Sequence, residues 1–160
     1  MYNKKKIDFR IYNKCPFWVE DIFKKFLTQW KCFTIYRSKN FLKWRIFSNP
    51  YMKNNFVGIF YKQNPLGYFI YTIKNKHLYL NDLIISSNDR ETLTKEILQE
   101  MVKYLEEKIK HQNLKSFNFE IYLEFKLNLL LKNILVKKGF LVKNKVSDFS
   151  YFKSNFNIKN

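Results

Sequence analysis

The chain has 160 residues, of which 46% are hydrophobic, and its formal net charge is +17. This length suits one globular domain with one core, and no apolar run approaches the ~18 residues of a membrane-spanning helix. The only cysteines, Cys15 and Cys32, lie outside any C-x-x-C pair, so the sequence indicates neither a disulfide framework nor a zinc site. We therefore expect a single domain over residues 1–160, located in the cytoplasm and without a bound metal.

The positive charge suggests nucleic acid as a partner, but the composition weakens that inference. Alanine is absent, glycine occurs only 3 times, and Lys, Asn, Ile, Phe, Tyr and Leu are frequent. These frequent residues have codons rich in A and T, so a coding bias accounts for much of the charge. Nucleic acid stays a weakly supported partner, while the positive field still favours any acidic ligand, including a phosphorylated cofactor.

The N-terminal part of the chain predicts one strand and two helices. Residues Lys6–Tyr12, "KIDFRIY", alternate between apolar and polar like a half-buried strand. The next run, "CPFWVEDIFKKFLTQW", has apolar residues at helical spacing, with Pro16 near the helix start. The run "SKNFLKWRIFSNP" then predicts a short helix capped by Ser38 and stopped by Asn49 and Pro50.

Three strand-like runs follow in quick succession. They cover Asn55–Tyr61, Leu66–Ile73 and His77–Ser86. The connectors between them, "KQNP" and "KNK", are short and polar. This spacing favours an antiparallel meander of three strands.

The rest of the chain alternates helices with strands. A long amphipathic helix is predicted from Asp89 to about Lys110, followed by a strand over Lys115–Leu123. A strand, helix and strand in this order favour a parallel, right-handed crossover. A further helix ends at Gly139, and "FLVKNKV" and "FSYFKS" are the last strand candidates. The predicted fold is α+β: a mixed, mostly antiparallel central sheet of six to seven strands, flanked by about four helices.

Motifs at three places in this order are similar to those of one family. The third meander strand and the next helix read "DLIISSNDRETLTK", which contains Asp82, Leu83, Ile85 and Arg90. The last helix ends in "VKKGF", and "FLKWRIFSNP" precedes the meander. These segments resemble the Asp-Leu-x-Val strand with its following arginine, the Lys-x-Gly-Phe helix ending and the Trp-Arg-aromatic, Asn-Pro segment of GNAT acetyltransferases. The chain thus resembles a divergent member of the GNAT superfamily over nearly its whole length.

The resemblance implies an N-acyltransferase that moves an acetyl or other acyl group from acyl-CoA directly to an amine acceptor, either a small molecule or a peptide. The cosubstrate, acetyl-CoA or another acyl-CoA, would lie between the third meander strand and the next strand. By resemblance, the backbone of Leu83, Ile84 and Ile85 would pair with the pantetheine arm like an added strand. Arg90 and Lys95 would meet the phosphates through their side chains.

The resemblance also suggests catalytic candidates. Many GNAT enzymes have an acidic tyrosine four residues before the glycine of the helix ending, where this chain has Leu135. Tyr122, at the end of the preceding strand, is a substitute for that acid. Asp82 and Glu120 are, by position, the nearest candidates for the general base. A purely structural role as capped or solvated carboxylates stays open for both.

Trp44 and Arg45 are candidates for the acceptor site. They belong to the segment between the first strand and the meander, which borders the acceptor site in GNAT proteins. The resemblance therefore gives both residues an acceptor role. A core role, which is the usual one for aromatic side chains, stays open for Trp44.

The loop that should hold the pyrophosphate departs from the family pattern. Where the family has small residues, this chain has Glu91, Leu93 and Lys95. Glycines let backbone N–H groups approach a phosphate closely, so these side chains reduce that approach. Asn88 and Glu91 also have the spacing of a capping box, which would satisfy the helix start internally. The alternative function is therefore a non-catalytic GNAT-fold binding module that contacts protein or nucleic acid.

Overall fold

The computed structural model describes residues 7–32, 34–88, 90–121, 126–140, 143–146 and 152–156. The strands in these ranges are β1 (Ile7–Tyr12), β2 (Asn54–Tyr61), β3 (Asn64–Lys74), β4 (His77–Ile85), β5 (Ser116–Ile121), β6 (Lys143–Val146) and β7 (Phe152–Phe156). The helices are α1 (Val19–Trp30), α2 (Lys39–Leu42), α3 (Glu91–His111) and α4 (Lys126–Lys137), with a π-helical segment at Lys43–Phe47.

Hydrogen bonds join the described strands in the order β1-β2-β3-β4-β5-β7-β6. β4 and β5 are parallel, while β1 with β2, β5 with β7 and β6 with β7 are antiparallel. Two-residue connections join β2 to β3 and β3 to β4, and connections this short require antiparallel neighbours. The predictions of a mixed, mostly antiparallel sheet, a meander and a parallel crossover are therefore confirmed.

The chain divides into two compact units. The first unit comprises Met1–Tyr71 and Asp82–Thr94, and the second comprises Thr72–Asn81 and Lys95–Asn160. The single domain over residues 1–160 stays a prediction.

The first unit has a strongly aromatic core. Trp18 at the start of α1 contacts the rings of Tyr12 and Phe60 edge to face, with centroids 5.8 and 5.7 Å apart. Phe56 stacks on Tyr68 at a centroid distance of 4.8 Å. Rings in such arrangements stabilise a core beyond their area of burial. The buried apolar side chains of this unit include Val19, Ile22, Phe23, Phe26, Leu42, Val57, Ile59, Phe69 and Ile70.

Glycine is used where backbones approach closely. A Cβ atom at Gly67 in β3 would lie 2.1 Å from the carbonyl oxygen of Ile84 in β4, so only glycine fits there.

The two meander turns contain no glycine, although all four of their residues have positive φ: Lys62, Gln63, Asn75 and Lys76. Such turns match the twist of the flanking strands.

In the second unit, the parallel ladder pairs His77–Leu80 of β4 with Ser116–Phe119 of β5. Helix α4 ends as predicted, because Gly139 has φ 86° and the Phe140 N–H donates to the Leu135 carbonyl at 3.1 Å. The buried side chains of α3 in this unit are Ile97, Leu98, Met101, Val102, Leu105 and Ile109.

The helix preceding the meander differs from its prediction. Ser38 caps α2 as expected and accepts a hydrogen bond from the Phe41 N–H at 3.0 Å. The helix then continues as a π-helix over Lys43–Phe47, ending with the Ser48 N–H bonded to the Lys43 carbonyl at 2.8 Å. Side-chain periodicity does not distinguish this wider hydrogen-bond pattern from an α-helix.

Candidate functional site

Side chains of the first unit hold the loop between β4 and α3. The Ser87 N–H donates to Gln29 Oε1 of α1 at 2.9 Å, and Gln29 Nε2 donates back to Ser87 Oγ at 3.3 Å. Ser87 Oγ also lies 2.5 Å from Thr94 Oγ1, whose residue is fully buried. On the other side of the loop, the Ser86 N–H donates to the Leu66 carbonyl of β3 at 2.7 Å. The loop is therefore anchored to α1, β3 and the first turn of α3.

The start of α3 corrects one prediction. Helix α3 begins at Glu91, and the carbonyl of Arg90 accepts the Thr94 N–H at 3.0 Å, so Arg90 is the N-cap residue. Asn88 lies two residues earlier in a left-handed conformation with φ 52°. The predicted Asn88 and Glu91 capping box is therefore wrong, because the loop makes a turn at Asn88 before the helix starts. The predicted start at Asp89 lies outside the described residues.

A cavity of about 520 Å³ lies beside this loop, entirely within the first unit. Its walls come from α1, from the turn between β2 and β3, and from the β4–α3 loop. Among the described residues, those that carry charge in the lining are Asp21, Lys25, Lys62 and Arg90. Arg90, a predicted phosphate contact, therefore lines a cavity of the size that small ligands occupy.

The backbone predicted to pair with pantetheine is buried, and part of it already has partners. Leu83, Ile84 and Ile85 are 6%, 2% and 0% exposed. The Leu83 N–H donates to Asp82 Oδ1 at 3.1 Å, and the Ile85 carbonyl accepts the indole N–H of Trp30 at 2.8 Å. A ligand that paired with these two groups would have to displace both bonds.

Asp82, a candidate general base, forms an ion pair with Arg37. Arg37 Nε donates to Asp82 Oδ2 at 3.2 Å and Nη2 to Oδ1 at 3.4 Å, and both side chains are less than one-fifth exposed (18% and 17%). Arg37 also donates to Thr34 Oγ1 at 2.8 Å and lies 5.7 Å from the Phe23 ring centroid. This arrangement favours a structural carboxylate that fixes the segment between α1 and α2.

Tyr68 of β3 is a buried polar residue near this pair. It is fully buried, and its hydroxyl has no hydrogen-bond partner among the described residues. Burial raises the pKa of Tyr68 well above its ordinary value, and the Asp82 carboxylate raises it further, while Arg37 lowers it. The hydroxyl therefore stays protonated and can only act as a neutral donor or acceptor.

The remaining candidates lie on other elements or outside the described residues. Trp44 (69% exposed) and Arg45 lie on the π-helical segment, where both approach the Phe41 ring, at 6.3 Å for the Trp44 ring and 5.9 Å for the guanidinium carbon of Arg45. Glu120 lies in β5 opposite Lys153 of β7. Tyr122 lies outside the described residues.

Two other candidate positions are on the helices. Leu135, where many GNAT enzymes have their tyrosine, is fully buried in α4. Lys95 lies exposed in the second turn of α3. Within the described ranges, no group of three or more His, Cys, Asp or Glu residues could hold a metal ion. None of the described helices is both long and apolar enough to cross a membrane.

Sequence reasoning missed the residues that hold the loop and surround the cavity. Trp30, Gln29 and Arg37 contact residues 45 to 58 positions away, and Lys25 and Lys62 line the cavity. The only sequence signal was weak: Gln29 and Trp30 are the last two residues of a predicted helix. No local pattern identified their partners.

No protein-family model matches this sequence, and no curated protein matches it. Solved structures do match. A protein of the GNAT family from Desulfovibrio desulfuricans is 12% identical over 96% of this chain and 98% of its own, with a TM-score of 0.66. The chain has the GNAT fold.

Two further structures with this fold contain coenzyme A. The spermidine N-acetyltransferase from Vibrio cholerae, in complex with CoA and spermine, is 12% identical over 96% of this chain and 95% of its own (TM-score 0.66). The PaiA N-acetyltransferase from Thermoplasma acidophilum, in complex with coenzyme A, is 16% identical over 96% of this chain and 100% of its own (TM-score 0.59). At identities this low, the comparisons show a shared GNAT fold. The chemistry has to be argued from this chain's own residues.

Proposed function

We propose that this protein is an N-acyltransferase that transfers an acetyl or other acyl group from acyl-CoA directly to an amine. The observation that carries the proposal is the full-length match to GNAT-fold structures that contain coenzyme A. The β4 strand supplies the residues that would meet the cosubstrate, because it extends five residues beyond Leu80, up to Ile85. Leu83, Ile84 and Ile85, the proposed pantetheine-pairing residues, are the last of these.

The charge around the β4–α3 loop supports an acidic cosubstrate. Arg90 is exposed beside the loop, and Ser86 has a buried hydroxyl without a partner among the described residues. The exposed guanidinium suits a phosphate oxygen, whereas the Ser86 hydroxyl is closed off from the surface. Side chains replace the glycines of the usual pyrophosphate loop, so we infer that Arg90 and Lys95 would hold the phosphates mainly by side-chain contacts. Coenzyme A, when bound, supplies the thioester that the amine attacks.

Direct transfer needs few protein groups. It needs a positioned thioester, a group that accepts the proton of the amine, and a donor to the thioester carbonyl. Asp82, Glu120 and Tyr122 stay the proposed proton-transfer residues, and Trp44 with Arg45 the proposed acceptor surface. The ion pair with Arg37 makes the Asp82 carboxylate less available to accept a proton. We therefore favour Glu120 over Asp82 as the general base. The formal net charge of +17 favours an acceptor amine that also carries an acidic group.

A non-catalytic binding module is the second candidate, and one hydrogen bond favours it. The indole N–H of Trp30 occupies the Ile85 carbonyl at 2.8 Å, where pantetheine would otherwise bond. If this bond is permanent, the strand end is closed to the cosubstrate. The GNAT fold would then serve contacts to protein or nucleic acid without acyl transfer.

Isothermal titration with acetyl-CoA distinguishes the two functions. At moderate salt, with free pantetheine as a ligand control, the proposed enzyme binds one acetyl-CoA saturably. We expect Arg90→Glu to weaken binding by about tenfold or more, because a charge-assisted bond to phosphate becomes a repulsion. Lys24→Glu is the matched control, since Lys24 is exposed on α1 and does not line the cavity.

Trp30→Phe tests the second candidate in the same assay. It keeps an aromatic ring and removes the N–H, so the Ile85 carbonyl becomes available. If acetyl-CoA binds at this strand, the variant should bind it several-fold more tightly. Absence of binding at millimolar acetyl-CoA in both the natural protein and Trp30→Phe would reject the acyltransferase and leave the binding module.

A further inference from the structure

Residues 43–53 form a segment with large exposed side chains. This 43–53 segment consists of the π-helical residues Lys43–Phe47 and the connection that leads into β2. Trp44 is 69% exposed, Tyr51 is 92% exposed and Met52 is 45% exposed. Single exposed apolar side chains are common on protein surfaces, whereas several on one short segment indicate a contact surface.

The inner side of the 43–53 segment is fixed to the first unit. The carbonyl of Ile46 accepts a hydrogen bond from Asn54 Nδ2 at 3.2 Å. The ring centroid of Phe47 lies 5.4 Å from that of Phe56 in β2, which is 1% exposed. The exposed rings are therefore carried by an anchored backbone, and an anchored surface loses less conformational freedom when a partner binds.

Cations alternate with these rings along the segment. Trp44 stands between Lys43 and Arg45, and Lys53 follows shortly after Tyr51. The three cationic side chains are exposed, and none of them forms an ion pair within the described part of the chain. The segment itself contains no Asp or Glu. Exposed rings and unpaired positive charges thus share one surface.

The segment lies in a long stretch of sequence without acidic residues. All 13 Asp and Glu residues occur in 1–21 and 82–160, so residues 22–81 contain none. A coding bias acts on the whole chain and does not explain a gap confined to this stretch. Glu20 and Asp82, which contact the chain just before the segment, already accept the Lys39 N–H at 2.6 Å and pair with Arg37. The positive charge of the segment is therefore available to an anion.

We propose that the 43–53 segment binds single-stranded nucleic acid. Trp44 and Tyr51 stack on unpaired bases, while Lys43, Arg45 and Lys53 contact the phosphates between them, which is how aromatic and basic side chains together hold a single strand. The apolar residues of the π-helical part pack inward, which leaves no continuous apolar face of the kind that inserts into a membrane.

The inference rests on the proposed function in one respect, because Trp44 and Arg45 also form the proposed acceptor surface. A strand bound there carries the acceptor amine. In the transfer, the amine nitrogen forms a bond to the acyl carbon, the thioester C–S bond breaks, and the general base passes the amine proton on to the CoA sulfur. Binding of the strand itself requires no acyl-CoA and is tested separately.

Fluorescence anisotropy at moderate salt tests the binding. The probe is a fluorescein-labelled oligouridylate of about 12 nucleotides, a length within the usual range of single-strand sites. A hairpin duplex with the same number of phosphates is the comparison. We expect the single strand to bind several-fold more tightly, because only unpaired bases can stack on the rings. The overall field alone would favour the duplex, whose charge density is higher.

Ring variants test the stacking contacts. Trp44→Leu and Tyr51→Leu keep an apolar side chain and remove the ring, so each should weaken oligouridylate binding by about fivefold or more, the effect of losing one stacked base. Trp44→Phe keeps a ring and should retain most of the affinity. Both rings are exposed, and circular dichroism melting checks that each variant is folded.

Charge variants at the two ends of β2 test the phosphate contacts. Lys53→Glu should weaken binding by about fivefold or more, because a phosphate contact becomes a repulsion. Lys62→Glu makes the same charge change beyond the other end of β2, roughly 30 Å away at the usual rise of a strand. This distance exceeds the range of electrostatic interactions at moderate salt, so the control should lose about twofold at most.

Three results would overturn the binding surface. The first is a lack of saturable oligouridylate binding. The second is an equal loss in Lys53→Glu and Lys62→Glu, or a preference for the duplex, because either would show that only the overall field matters. The third is binding to phosphatidylserine vesicles without binding to oligouridylate, which would make the segment a membrane contact.

Total RNA with radiolabelled acetyl-CoA tests the acceptor role, since uracil itself has no amine. We expect the label in the RNA with the natural protein and much less of it with Trp44→Leu. Strand binding without transfer of the label would overturn the acceptor role and leave the binding surface. A failure to bind acetyl-CoA would instead reject the proposed acyltransferase, and oligouridylate binding would still decide the surface.

Discussion

Arg37 and Arg90 belong to the same unit and have opposite surroundings. Arg37 is 18% exposed, forms two hydrogen bonds with Asp82 and also bonds to Thr34. Arg90 is exposed beside a cavity, and only its backbone has a hydrogen-bond partner in the described chain. Both residues carry the same charge, yet one is committed to the fold and the other is available to a ligand.

The comparison shows that net charge alone says little about function in a protein this basic. Removing a cation that has a fixed, largely buried carboxylate partner leaves that carboxylate unpaired, which is destabilising. A cation without one, held beside a cavity, contributes little to stability and retains its full attraction for an anion. Unfolding measurements on variants that each lack one arginine can therefore distinguish the paired cations from the unpaired ones.

Arg37→Ala should have the largest effect. It leaves the Asp82 carboxylate, which is only 17% exposed, without its counterion. We expect a loss of about 2 kcal/mol in the free energy of unfolding, between the values for exposed and for fully buried pairs. Urea unfolding followed by tryptophan fluorescence measures it.

Arg45→Ala is the control for Arg37→Ala, since it removes an exposed arginine without an ion pair in the described chain. Its effect should stay within about 0.5 kcal/mol. A double variant, Arg37→Ala with Asp82→Asn, should lose less than the sum of the two single changes. Additive losses would mean that the pair does not stabilise the fold.

Thr94→Val should have an intermediate effect. It keeps the shape of a fully buried side chain and removes the hydroxyl that bonds to Ser87 Oγ and the Arg90 carbonyl. We expect roughly 1 to 1.5 kcal/mol less stability by urea unfolding, from two neutral hydrogen bonds that each contribute ~0.5–1.5 kcal/mol. Thr94→Ser keeps the hydroxyl, so faster amide hydrogen exchange at Ser87 in the valine variant alone would identify the hydrogen bond as the cause. Equal exchange in both variants would contradict it.

Arg90→Ala should have the smallest effect on folding. An exposed cation without a carboxylate partner contributes little, so we expect a change within about 0.5 kcal/mol in urea unfolding. A loss as large as that of Arg37→Ala would remove the distinction between the two arginines. It would also mean that weaker acetyl-CoA binding by Arg90→Glu reflects a loss of folding as much as the loss of a phosphate contact.

Much of the fold was predictable because its signals are local. The alternation of "KIDFRIY", the stripe of α3 and the glycine at the end of α4 each depend on spacing within one element. The parallel pairing of β4 with β5 followed from the strand, helix, strand order. The π-helix after α2 was not predictable, since its apolar spacing resembles that of an α-helix.

The candidate site was predictable only in part. The sequence indicated the β4–α3 segment and Arg90, because the strand-to-helix junction and its resemblance to the GNAT motif are local. The sequence did not indicate that Trp30 would bond to the Ile85 carbonyl or Arg37 to Asp82, which are 55 and 45 positions apart. Residue spacing within an element carries no information about which distant group will become the partner.

By itself, the sequence determined the order of the elements, the mixed sheet and the resemblance to the GNAT superfamily. These depend on side-chain periodicity and turn residues, which act over a few positions. The tertiary structure alone decided which cations are paired, which backbone groups of β4 have partners, and that Lys25, Lys62, Ser86 and Arg90 surround one cavity. The physical reason is that pairing and burial are set when distant segments pack together, and side chains of the same type then acquire different surroundings.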